Sequence, residues 1–249
     1  MTYLDVARCL GLWSFLLLNV VAFPVLAQLG ANKGSVEARD MGAAAQLDAT
    51  DAYRLALLKM KGHLGVARAL LQMRAPGADY YMRDPVQEIF QDTEAELEGR
   101  NAPFTADILQ ELEHASATDP VSTLAAIESA VTAINGSFAQ TGAMNAKSVL
   151  ALSEALLREA VAKYAEAVRE NEVVDLRKYQ SGRGFATEAE ALVRYSSRLK
   201  GRPGHEELLK VVTLIRQAWP GVIPPPIVFD PPSVAGRLEE AVATMDQLR

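Results

Sequence analysis

The sequence predicts an all-α protein: a single multi-helix antiparallel bundle with a C-terminal proline-rich strap. Three observations predict it. Aromatic residues make up only 6% of the chain while alanine and leucine are plentiful, and few runs of Val, Ile and Thr occur, which favours helix over sheet. Apolar residues recur at spacings of three and four between capping residues. The one long stretch that cannot be helical, "WPGVIPPPIVFDPPS" from Trp219 to Ser233, carries six prolines, which fix φ and remove backbone donors.

The elements follow in order. Residues 1–27 carry Arg8, an apolar run from about Cys9 to Leu26, and Val25-Leu26-Ala27 as a small-residue cleavage pattern, and read as an export signal. The apolar run approaches the roughly 20 residues that span a bilayer, so an uncleaved N-terminal anchor is the alternative. Residues 28–49 form a polar, Gly-containing segment, and residues 50–249 the helical bundle domain. Thr50-Asp51 offers an N-cap, after which Tyr53, Leu57, Met60, Leu64, Ala67 and Leu71 mark one helical face. Asp84-Pro85 and Asp119-Pro120 open two further helices in the cap-then-proline order, closed by Gly99 and Gly136, with a third from about Pro103 to Ala115 between them.

The clearest helix covers about Asn145 to Asn171, with Leu157, Val161, Tyr164 and Val168 in a stripe and Glu154 and Arg158 one turn apart for pairing. Another is expected from about Gly184 to Leu199. Breakers at Gly201-Arg202-Pro203-Gly204 separate it from a helix through Leu208, Val211, Val212, Ile215 and Trp219. The strap follows, with Ile227, Val228 and Phe229 expected to lie against the bundle, and a last short helix starts at about Val234.

Several function classes drop out. Net charge is −6 and no basic cluster of phosphate-binding density appears, so nucleic acid is not an expected partner. Cys9 is the only cysteine, so the bundle is held by its core and not by disulfides. No Gly-x-Ser-x-Gly elbow, phosphate loop or His-Glu-x-x-His occurs, and Gly182-x-Gly184 follows no strand, so it is no nucleotide fingerprint. With no nucleophile and base to name, the chain is not expected to be an enzyme.

His63, one of three histidines, lies between Gly62 and Gly65 at the margin of the first helix's apolar face. Two readings apply. In one it is a boundary histidine donating a hydrogen bond. In the other it joins carboxylates from the acidic series Asp84, Glu88, Asp92 and Glu96, which recurs every four residues, to hold a first-row metal, with Met60 one turn earlier as a soft ligand for copper. Gly62 falls on the opposite side of the helix, as a second element approaching closely there would require. Glu111-Leu112-Glu113-His114 has the Glu-x-x-His spacing of di-iron bundles but no second copy.

Four stretches together resemble an uncharacterised family of exported helical proteobacterial proteins: Lys59–Leu71, Arg83–Arg100, Leu156–Leu192 and Trp219–Val242. The later segment is in turn similar to the periplasmic helical domain of bacterial high-affinity iron permeases and, more distantly, to imelysin-like proteins. The family opens its second stretch with His-Pro; Asp84 replaces that histidine here, while Pro85, Glu88 and His63 match. The resemblance implies a periplasmic, non-enzymatic protein that supports iron binding or handling through His63, Asp84 and Glu88, with the carboxylate shifting preference toward harder ions. The alternative is a metal-free interaction module whose helical faces and proline strap dock an envelope protein. Where the family expects a glycine, this chain has Asn171, which tolerates the left-handed conformation. Tyr179, Arg183 and Phe185 are expected in the turn into the next helix, with Tyr179 and Phe185 packing it.

Overall fold

Five helix starts are set by one local device, an Asp or Asn side chain that accepts a hydrogen bond from the backbone N–H three residues on. A computed structural model describes residues 47–115 and 119–249; the export segment with Cys9 and most of the polar segment lie outside the described residues. Asp48 caps α1 (Ala49–Gln72), Asp119 caps α5 (Pro120–Gln140), Asn145 caps α6 (Ala146–Ala167), Asp175 caps α7 (Leu176–Tyr195) and Asp230 caps α9 (Pro231–Leu248). Between them lie the short α2 (Ala78–Met82), α3 (Asp84–Gly99), α4 (Ala106–His114) and α8 (His205–Arg216). The all-α expectation holds.

The boundaries differ from expectation in five places. Asp51 does not cap α1: its carboxylate receives the guanidinium of the buried Arg54 at 2.8 Å, and Arg54 also donates to the Thr141 carbonyl at 2.9 Å. Gly136 does not end α5, which runs one more turn to Gln140. The long helix α6 stops at Ala167 because Glu170 and Asn171 take φ of 50° and 63°. Two successive left-handed residues make the tight turn of an antiparallel hairpin, in which Val168 pairs with Val173 and Arg169 with Glu172.

The largest difference is α7, which begins at Leu176, eight residues before Gly184. The helix was expected from about Gly184, whereas Gly182 and Gly184 both sit inside it. Tyr179, Arg183 and Phe185 are therefore helical residues and not turn residues, although Tyr179 and Phe185 do pack, at 0% and 1% exposure. The last helix is also longer than expected, starting at Pro231.

Helix α7 lies between α1 and α6, and α8 and α9 close over it and over α6. Trp219, wholly buried, stands edge-on to Tyr164 with ring centroids 5.0 Å apart. On the other side of α1, its Leu64, Leu70 and Met60 join Tyr81, Met82, Phe104 and Leu112 in a second apolar cluster. Glu154 pairs with Arg158 at 2.9 Å as expected, and also with the C-terminal residue Arg249. Among the described residues, no helix is long and apolar enough to cross a membrane.

Candidate functional site

The glycine beside His63 has its reason in α7. A Cβ on Gly62 would stand 3.1 Å from the Gly184 carbonyl carbon, and one on Gly184 only 2.6 Å from the Gly62 carbonyl oxygen. The close approach expected on the Gly62 side is thus made by α7, glycine against glycine. Gly65, by contrast, has nothing within 4 Å of its Cβ position. On α7's other flank Gly182 admits Ala160 and Trp219, whose atoms lie 2.9 and 3.0 Å from where its Cβ would be. The Gly-x-Gly pattern is a packing device that lets one helix lie tightly against two others.

His63 follows directly and is held between aromatic rings. Its imidazole stacks on Tyr81 at 6.0 Å and meets the edge of Phe185 at 5.0 Å. It is 5% exposed, and Nδ1 is enclosed without a hydrogen-bond partner. Burial, and then the charges of Lys163 and Lys59, push its pKa down to about 3. The same two ammonium groups lie 5.7 Å from the centre of the Phe185 ring. The imidazole is neutral at physiological pH, deeper than a boundary residue, and its electrostatic surroundings are cationic, which opposes a bound cation.

The proposed carboxylate ligands are not brought to it. Met60 is fully buried within the apolar cluster of α1. Asp84 and Glu88 lie on the exposed side of α3, as do Asp92 and Glu96, and Glu96 pairs with Arg100 at 2.5 Å. Among the described residues, no group of three or more His, Cys, Asp or Glu side chains stands close enough to hold a metal ion. The physical reason is the helix period: the face of α3 that packs is Val86, Phe90 and Leu97, and the acidic series occupies the opposite, hydrated one. His114 is likewise exposed and bonded to the Gln110 carbonyl of its own helix at 2.8 Å.

One turn past the crossing, α1 and α7 part and a cleft of about 290 Å³ opens between them. Leu57, Leu58, Phe138 and Leu192 give it an apolar wall, and the Lys61–Glu188 pair, 3.1 Å apart, also lines it. Burial raises the Glu188 pKa against the pull of Lys61.

The strap is the other surface feature. Of the three residues expected to pack, only Val228 does, at 8% exposure; Ile227 is 76% and Phe229 43% exposed. Ile223 and Pro226 also face outward. Strap and bundle are tied at fixed points: Val228 N–H donates to the Asn171 carbonyl at 2.9 Å, Tyr164 hydroxyl to the Phe229 carbonyl at 2.8 Å, and Gln180 amide to the Val222 carbonyl at 3.0 Å. Gln180 Oε1 in turn lies 3.0 Å from the Tyr81 hydroxyl, beside His63.

The chain matches no known protein-family model, no curated protein and no solved structure. Sequence reasoning missed the Lys61–Glu188 pair and the outward apolar side chains of the strap. The signal for the second was present, since an extended segment alternates its faces and Val228 stands between Ile227 and Phe229.

Proposed function

We propose that this protein is a non-enzymatic helical interaction module of the bacterial envelope, and that its working surface is the proline strap. The observation that carries this reading is the exposure of Ile223, Ile227 and Phe229 on a segment whose backbone is braced by prolines and fastened to the bundle. Large apolar side chains held outward on an ordered backbone lose little entropy on binding. A proline-braced extended segment is moreover the form that aromatic-lined grooves of partner proteins recognise. The expected partner is therefore an envelope protein with such a groove, and the location rests on the export signal read from residues 1–27.

The metal-handling reading lacks comparable support, because His63, Asp84 and Glu88 form no ligand group and the imidazole stands near two lysines. The test is photocrosslinking in cells with a crosslinking residue at Ile227 or Phe229, compared with Val121, which is 79% exposed on α5. A discrete adduct at the two strap positions and none at Val121 supports the proposal. Equal labelling at all three, or none, counts against it.

A further inference from the structure

On the face of α7 turned to α8, Tyr179, Arg183 and Thr187 succeed one another at four-residue intervals. The Arg216 guanidinium is docked there: its Nε donates to Thr187 Oγ1 at 3.1 Å and its Nη1 to the Trp219 carbonyl. Arg183 stands one turn from that contact, with Nε enclosed and without a hydrogen-bond partner. Among the described residues Arg183 makes no ion pair, and its side chain is only partly exposed. Arg216 is within the field of Glu190, but that carboxylate is already engaged by Arg194 at 2.5 Å and by Thr213 at 3.2 Å. Two guanidinium groups, those of Arg194 and Arg216, thus share one carboxylate, and Arg183 has none.

A folded core gives no reason for this. Arg216 in the last turn of α8 suits the helix dipole, whereas Arg183 is mid-helix, and a half-buried guanidinium beside another is costly unless an anion lies between them. Burial, and then the charge of Arg216, lower the pKa of Arg183, as expected for two cations held together. Arginine is also the side chain suited to forked contact with an oxyanion.

We infer that Arg183 and Arg216 form a binding site for a doubly charged oxyanion of the phosphate type, either free phosphate or the phosphoryl group of a small molecule, held between the two guanidinium groups at the root of the strap. A dianion matches the two charges, which a single carboxylate does not. The site is independent of the partner proposed for the strap, because its ligand is a small anion and its residues are not the exposed apolar ones.

The test is a thermal-unfolding titration of the purified protein with inorganic phosphate, sulfate and phenyl phosphate, with sodium chloride holding ionic strength constant. Saturable stabilisation is expected, with Tm raised by about 3–5 °C at ten times the dissociation constant. Arg183→Gln is the deciding variant, since Arg183 holds nothing else in place: it is expected to fold, to be no less stable than wild type without ligand, and to bind at least tenfold more weakly. Arg216→Gln is expected to weaken binding likewise. Tighter binding of phosphate than of phenyl phosphate would identify the free anion as ligand, and the reverse order a phosphomonoester. No saturable shift with any of the three at 10 mM (about the ceiling for a specific site of this kind), or the same shift in Arg183→Gln, overturns the proposal.

Discussion

The Gly184 backbone lies so close to Gly62 that a methyl group on Gly184 would stand 2.6 Å from the Gly62 carbonyl oxygen. That contact brings α1 and α7 together, buries His63 under Phe185, and sets where the two helices part to form the cleft at Lys61 and Glu188. Neither backbone can retreat, since α7 is held by α6 on its other flank. Gly184→Ala is therefore expected to destabilise the fold by about 2–3 kcal/mol, overpacking outweighing the gain in helix propensity. Gly65→Ala, in open space on the same helix as Gly62, is expected to stabilise by up to about 1 kcal/mol. Urea unfolding of the two variants against wild type checks both signs.

The same crossing governs a pH response. His63 is held neutral, with its pKa down at about 3, so the unfolded chain takes up a proton in a range where the folded chain does not. Stability linked to His63 is complete above the ordinary histidine pKa and falls as pH drops from there toward 3. His63→Leu, which keeps an apolar side chain between Tyr81 and Phe185, removes that loss. Between pH 6 and 4, wild type is expected to lose up to about 1.4 kcal/mol per pH unit more than the variant. Urea midpoints that fall in parallel for the two proteins would refute a buried neutral imidazole.

Much of the fold is legible in the sequence because helix starts are local. Asp119-Pro120 and Asn145 mark real caps, and the stripe from Tyr53 to Leu71 is the buried face of α1. What was not legible depends on partners distant in the chain. The helix expected from about Gly184 starts eight residues earlier, and the reason for Gly182 and Gly184 within it is seen only when Ala160, Trp219 and Gly62 are placed against them. Asp84 and Glu88 do not meet His63 for the same reason: spacing puts them on one face of α3, but only packing decides that this face is the hydrated one. Arg183 and Arg216 are 33 positions apart, and no periodicity joins them.

Lys61 and Glu188 offer a test of the cleft's electrostatics. Their side chains are 30% and 12% exposed, so the pair is partly screened. Lys61→Met strands the Glu188 carboxylate in an apolar wall and is expected to cost about 1–2 kcal/mol at pH 7. Because burial already raises the Glu188 pKa, the folded protein takes up the proton more readily than the unfolded one. Part of the cost should then return as pH falls through the raised pKa toward the ordinary glutamate value. The double variant Lys61→Met/Glu188→Gln should regain most of the loss without acid, and a double variant no more stable than Lys61→Met would show that the lysine acts by packing alone.

The strap makes the sharpest distinction between packing and presentation. Ile227→Ser removes a side chain that is 76% exposed and should leave stability within about 0.5 kcal/mol of wild type, whereas Val228→Ala, its buried neighbour, should cost about 1–2 kcal/mol. Tyr164 reaches the strap by the hydrogen bond from its hydroxyl to the Phe229 carbonyl, while its ring stays buried against Trp219 and Tyr179. Tyr164→Phe keeps the ring and deletes the tie. Such a bond contributes about 1 kcal/mol, which is close to a fivefold change in the population of a locally opened strap. Chymotryptic cleavage at Phe229 under native conditions should accordingly rise about fivefold in Tyr164→Phe, with Tm lowered by only a few degrees. Cleavage at the wild-type rate would mean that Val228 and the prolines alone hold the strap, and the outward pose of Ile227 and Phe229 would then owe nothing to the tyrosine beneath them.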